Sequence, residues 1–218
     1  LIANNIPAAP TLVWWPGRSS QAELIELGGT PTAFSKYGIK FDGIPSTLEP
    51  VRRRRSGVQD EGSQLVAEIF SSVAANSQRW LDLCAGPGGK AALLSSIAQE
   101  AGKDFTANEL SQPRAELVRQ VVGSSRVWVG DGRDIASHGE LFDAVLADVP
   151  CTGLGALRRR PEVRWRRTVS DLRALTALQR ELSDSAISVI ADGGLFAYAT
   201  CSPHFAETSV AVVDILKA

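Results

Sequence analysis

Apolar residues recur in two alternating rhythms from about residue 61 onward. Residues 64–75 carry a helical period, with Leu65, Val66, Ile69, Phe70 and Val73 predicted to share a face. A short apolar run at 80–83 reads as a strand; a glycine-rich turn and a helix over 90–101 follow. Residues 105–108 predict a second strand ending at Glu109. Ser111 is placed to cap the next helix, with Pro113 in its first turn and Leu117, Val118 and Val121 on its apolar side. Residues 127–129 form a third predicted strand, closed by Gly130-Asp131-Gly132, and 142–147 is an apolar run, broken only by Asp143, typical of a strand buried on both faces. Leu172, Leu175, Leu178, Leu182, Ala186 and Val189 stripe a long helix over 171–190. Gly193-Gly194 then turns the chain into a fifth strand at 195–199, and a closing helix covers roughly 207–216. Strands alternating with helices of this length predict an α/β fold with a mostly parallel, doubly wound sheet.

Residues 1–56 lack that regularity. Thr11-Leu-Val-Trp-Trp15 predicts a strand, and Ser20 a capped helix over 21–27 stopped by Gly28-Gly29. Proline, glycine and the arginine run 52–55 read as a linker-like passage. A small α+β appendage, a candidate RNA-binding subdomain, is therefore expected over 1–56, with the main domain over 57–218.

A net charge of −1 with a pI near 6.2 gives no global sign of a polyanion partner. Arginine is unevenly spread, however: four fall at 52–55 and six at 158–167. Local clusters of this kind can bind phosphate at near-zero total charge. Three widely spaced cysteines make no disulfide framework and fit a reducing compartment. With no signal peptide and no apolar run long enough to span a membrane, a cytoplasmic protein is expected. The chain starts at Leu1 and has no methionine, so it reads as a piece of something longer. A monomer is the default expectation.

Each cysteine falls where a predicted strand gives way to its loop: Cys84, Cys151 and Cys201. That edge of an open α/β sheet is where ligands bind. The loop Cys84-Ala85-Gly86-Pro87-Gly88-Gly89-Lys90 lacks the Ser/Thr of a phosphate-binding P-loop, and Pro87 breaks the dinucleotide fingerprint. It still offers a side-chain-poor turn with free backbone amides. Glu109 is placed to accept both ribose hydroxyls and Asp131 to accept from an adenine amine. Such an adenosine site without a pyrophosphate requirement suits S-adenosylmethionine better than NAD. Asp82 is expected to brace the glycine loop. Cys84 is expected to be structural. His138 and His204 have no partner spacing, and no metal site is expected.

Leu81-Asp-Leu-Cys-Ala-Gly-Pro-Gly-Gly-Lys90, Asp148-Val-Pro-Cys151-Thr-Gly and Tyr198-Ala-Thr-Cys201-Ser together resemble the signature motifs of RNA 5-methylcytosine methyltransferases. The likeness is to the bacterial Sun/Fmu type acting on ribosomal RNA. Gly57-Val-Gln-Asp-Glu-Gly-Ser-Gln64 and Arg159-Arg-Pro-Glu-Val-Arg-Trp165 fit that type too. The resemblance covers about residues 57–216. It implies a Rossmann-like class I methyltransferase sheet, S-adenosylmethionine as cofactor and RNA as partner. Cys201 would be the nucleophile, Cys151 would assist product release, and Asp148 would lie between cofactor and base, contacting the cofactor and holding ring nitrogen 3 or the amino group. Residues 84–90 would face the methionine part, with Glu109 on ribose and Asp131 on adenine. The residues alone do not say which thiol attacks, because cytosine-5 DNA methyltransferases use the Pro-Cys position instead. The type also implies a final β-hairpin and an N-terminal helical domain, for which this chain has no room. A transfer-RNA enzyme and a non-catalytic ribosome-assembly factor of the same fold are the competing expectations.

Overall fold

Two sheets carry the strands of the computed structural model, which describes residue 5 and residues 8–217. The first contains β1 (Thr11–Trp14), β2 (Thr30–Pro31), β3 (Gly38–Lys40) and β4 (Ser56–Val58), ordered β2-β3-β1-β4 with antiparallel pairing. Ser20 caps α1 (Gln21–Glu26), its hydroxyl accepting from the Glu23 amide at 3.1 Å, which satisfies one of the free donors of the first turn. The arginine run is not a linker. Arg52 ends the short helix α2 (Glu49–Arg52), and Arg55 leads into β4 while its guanidinium pairs with Glu23 at 2.6 Å and also with Glu49. Because β4 hydrogen-bonds to β1, this sheet runs to Val58, and the expected boundary at 56/57 cuts through a strand.

The helix expected at 64–75 is α3 (Glu61–Val73), started by Asp60, whose carboxylate accepts from the Gly62 amide at 2.9 Å. Its buried face differs from the expected one. Gln64, Ala67 and Phe70 point inward, whereas Ile69 and Val73 are 61% and 62% exposed. The reason is polar: the Gln64 amide donates to the carbonyls of Leu12 at 3.2 Å and Gln59 at 2.9 Å, tying the helix to the first sheet through a buried side chain.

The second sheet is parallel throughout. It holds β5 (Arg79–Asp82), β6 (Asp104–Glu109), β7 (Arg126–Val129), β8 (Phe142–Asp148) and β9 (Ile190–Ala199) in the order β7-β6-β5-β8-β9. Between them run α4 (Gly89–Glu100), α5 (Gln112–Arg119), α6 (Val163–Arg166) and α7 (Val169–Ser188), and α8 (Ser209–Ile215) follows. Side chains alternate between two cores, as a sheet covered on both faces requires. Trp80, Ala144 and Leu146 join one core with α4, α3 and the first sheet's Val13 and Trp15; Leu81, Val145 and Ala147 join the other with Leu182 and Ala186 of α7. Each fully buried aliphatic side chain contributes about 1.5–3 kcal/mol. β9 begins earlier than expected: Phe142 pairs with Ile190 but Ala144 with Leu195, so Gly193 at φ 74° lies in a bulge rather than before the strand. Strand addition reverses direction between β5 and β8. The carboxyl ends of those two strands form the crevice where such sheets bind ligands. Among the described residues no helix is long and apolar enough to cross a membrane.

Candidate active site

The glycine loop leaves β5 and turns at once into α4. Gly86 fits there because of Glu109: a Cβ at Gly86 would lie 2.0 Å from the Glu109 Oε2 that its own amide contacts at 3.0 Å. Glu109 Oε1 accepts from the Ser111 amide at 2.8 Å, and Arg114 lies 3.6 Å away. Glu109 thus braces the loop from the side of β6. Asp82 is 1% exposed, and neither of its oxygens has a hydrogen-bond partner. Burial pushes its carboxyl up to about 7, with the Asp148 charge adding and Lys90 opposing. Gly88 begins α4 at φ 111° without a capping side chain, so the positive end of that helix faces the loop.

A cavity of about 630 Å³ runs from Gly86 and Glu109, past Lys90 and Asp148, to Cys151 and Cys201. A second, of about 440 Å³, shares Lys90, Asp148 and Cys201 and opens toward Arg159. Lys90 Nζ lies 2.7 Å from Asp148 Oδ2 and 3.4 Å from Ser63 Oγ. The sulfurs of Cys151 and Cys201 are 3.2 Å apart, and both thiols are free. That contact splits their acidities. Cys151 falls to about 6, chiefly through the hydrogen bond from Cys201, with the Thr200 hydroxyl and two backbone amides assisting against burial. Cys201 is raised, first by the same bond and then by burial. The pair thus loses one proton readily and shares the other. Burial pushes the Cys84 thiol upward, and the nearby carboxylates add to that, so it lacks the depressed pKa of a reactive thiol.

Of the residues singled out from the sequence, Cys84, Gly86, Pro87, Lys90, Glu109, Asp131, Asp148, Cys151 and Cys201 line this cavity. Ala85, Gly88 and Gly89 do not. The Ala85 amide is spent on the Asn108 carbonyl at 2.9 Å, Gly88 packs against Val121, and Gly89 faces Gln59. Asp131 caps the turn after β7 and pairs with Arg133 at 2.6 Å; the bond from Arg133 holds its carboxyl below the usual range. His138 stacks on Trp128 at 3.8 Å, and His204 Nδ1 accepts from the Ala206 amide, so neither faces the cavity. Among the described residues no cluster could hold a metal ion. Arg160 and Arg167 line the rim, and Trp165 stands 79% exposed between them. Sequence reasoning missed Glu207 and Gln179, two buried polar residues behind the thiols. Gln179 interrupts the apolar stripe of α7, and that interruption was the available signal.

A parallel sheet in this order, with its cavity at the β5/β8 switch, is the Rossmann-like class I methyltransferase fold. A methyltransferase homolog protein from Pyrococcus horikoshii shares it at a TM-score of 0.80 and 20% identity, covering 99% of this chain and 72% of that one. NSun6 from Pyrococcus horikoshii, solved with SFG, aligns at 0.69 and 23%, covering 82% and 46%. The family model described as 16S rRNA methyltransferase RsmB/F matches residues 73–218, and the chain belongs to that family. A putative methyltransferase of Mycobacterium tuberculosis is 48% identical over 211 residues, 93% of this chain and 45% of its own length. The ribosomal RNA small subunit methyltransferase B of Pseudomonas putida is 37% identical over 204 residues, 88% of this chain and 44% of its own. The chain thus spans less than half the length of these relatives. The methyl donor of this class is S-adenosylmethionine. The cavity has the room and the polar lining for it: Gly86 and Lys90 of the loop, the carboxylates of Glu109 and Asp131, and the two thiols.

Proposed function

We propose that this chain carries the catalytic domain of an enzyme that methylates carbon 5 of a cytosine in RNA, ribosomal RNA by family, through a covalent adduct on Cys201. The observation that carries this reading is the contact between the two sulfurs at one end of a cavity whose other end is the glycine loop. The residues of the loop from Cys84 to Lys90 shape the methionine end, with Glu109 toward ribose and Asp131 toward adenine. Bound there, S-adenosylmethionine supplies an electrophilic methyl group.

Carbon 5 of cytosine is a poor nucleophile until a thiolate adds to carbon 6. The resting pair keeps its negative charge toward Cys151. For Cys201 to attack, its proton must cross the 3.2 Å contact to the Cys151 sulfur, against the resting order of the two acidities, so the transfer accompanies the approach of the base. Asp148, held by Lys90 at 2.7 Å, faces ring nitrogen 3 or the amino group and keeps the ring oriented. Once carbon 5 carries the methyl group, a water molecule takes its proton, the carbon 5–carbon 6 double bond re-forms, and the Cys201–carbon 6 bond breaks with its electron pair returning to sulfur. Cys151 assists that release. Arg160 and Arg167 rim the cavity and suit phosphates flanking an extruded base, whose unstacking costs only a few kcal/mol.

Incubation with cofactor and RNA containing 5-fluorocytosine is expected to trap a covalent complex, because fluorine at carbon 5 cannot leave as a proton does. Cys201→Ala should abolish the complex, whereas Cys151→Ala should let an adduct with ordinary RNA persist on denaturing gels. Adduct formation through Cys151 in the Cys201→Ala variant would reverse the roles. No adduct in any form would reject the covalent route and favour a binding factor.

A further inference from the structure

Behind the thiols lies a polar network that the chemistry above does not use. Glu207 ends the short turn Phe205–Glu207 and is 0% exposed, yet no cation touches its carboxylate among the described residues. Its Oε1 accepts from the Thr152 amide at 2.8 Å and from Gln179 Nε2 at 3.0 Å, and its Oε2 accepts from the Thr152 hydroxyl. Burial opposes the charge, but the Ser202 and Thr152 hydroxyls and these amides outweigh it and hold the carboxyl below its ordinary range. An ionised carboxylate only accepts. The Thr152 proton is therefore committed to Glu207, and the single Ser202 proton is directed either at the Thr152 oxygen 3.0 Å away or at Glu207 itself. The Ser202 oxygen in turn accepts from the His204 amide at 3.1 Å. Gln179 also donates to the Pro150 carbonyl at 2.9 Å, and the Tyr198 hydroxyl lies 3.0 Å from the Glu207 carbonyl.

Thr152 follows Cys151, and Ser202 follows Cys201. One buried carboxylate thus grips the residue next to one sulfur and, through it, the residue next to the other. We propose that Glu207 is a positioning residue, clamping the Pro-Cys loop to the Thr-Cys loop so that the two sulfurs stay in contact. Its consequence for turnover rests on the proposed activity; the clamp itself does not. Covalent attack on a ring carbon tolerates little misplacement, and a shift near 1 Å can cost about a hundredfold in rate.

The test uses the full chain with Glu207→Gln and Thr152→Val. The first keeps volume but leaves one accepting atom, and the second cuts the link to Ser202 while sparing the Thr152 amide. Two readouts apply: the pH profile of iodoacetamide alkylation at each cysteine, and the rate at which hydrogen peroxide joins Cys151 to Cys201, one peroxide and two thiols giving a disulfide and two waters. Wild type should alkylate with a midpoint well below that of a free thiol and should cross-link fast. Full reversion to a free thiol near pH 8.5 would cut the thiolate at pH 7 about thirtyfold. Both variants should lose at least about fivefold in alkylation at pH 7 and in cross-linking while melting cooperatively. Variants that fold and keep both wild-type profiles overturn the clamp. Should Glu207→Gln fail to fold, Thr152→Val alone decides by the same criterion. Neither readout uses RNA or cofactor, so shifted thiols without any methyl transfer would sink the proposed activity and leave the clamp standing.

Discussion

At the scale of single residues, Asp82 gives the clearest pH signature. Its carboxyl is raised to about 7 by burial, against about 4 for an exposed aspartate. Below pH 4 the group is neutral folded or unfolded, and burial costs nothing through ionisation. As the pH climbs to 7 the unfolded chain releases the proton that the folded chain retains, so stability drains away across that window and stays low above it. Asp82→Asn removes the titration. Its stability relative to wild type should improve by a few kcal/mol between pH 4 and pH 8, read from urea melts at each pH. A difference that does not vary with pH would show that Asp82 titrates normally. Cys84 makes the opposite point. It shares the sheet edge with the other cysteines, yet its burial leaves it a packing residue, and only the 3.2 Å contact distinguishes the remaining pair.

At the scale of elements, the start of α4 depends on a left-handed residue. Gly88→Ala would force φ 111° on a side chain and set its Cβ 2.8 Å from Val121. A loss of about 1–3 kcal/mol is expected, together with weaker cofactor binding, by calorimetric melt and titration. Ser20→Ala, which removes only a cap in the first sheet's helix, should cost about 1 kcal/mol and leave cofactor affinity unchanged. These elements were legible in the sequence because period and punctuation coincide: the strands at 80, 105, 127 and 142 each carry apolar runs ended by glycine or acid. What could not be read was tertiary in origin. The buried face of α3 is set by Gln64 reaching two carbonyls, which a hydrophobic pattern cannot express. The run 52–55 looked like a tether because its partners, Glu23 and Glu49, are distant in sequence or hidden in an irregular stretch. Around the cavity, Lys90, Glu109, Asp148 and the two thiols carry recognisable motifs, whereas Asn108, Arg114 and Ser63 arrive from unmarked positions, and Gly88 and Gly89 serve the turn from behind it.

At the scale of the whole molecule, charge is organised rather than abundant. The near-neutral total conceals a rim where Arg160 and Arg167 flank the cavity mouth. Arg160→Ala should weaken RNA binding equally for all sequences. It should also flatten the dependence of log affinity on log salt by about 0.7 per lost phosphate contact, measured by fluorescence anisotropy at several salt concentrations. An unchanged slope would place the RNA elsewhere. Arg159 does different work: it pairs with Asp60 and reaches Thr11 at 3.5 Å, joining the rim segment to the first sheet and to the start of α3. Cys151 and Cys201 lie 50 positions apart, on the loops after the neighbouring strands β8 and β9. A chain emerging from the ribosome therefore holds two unremarkable thiols until β9 docks beside β8. On the proposed chemistry, the attacking pair would therefore come into being only as β9 docks, after both loops have been made.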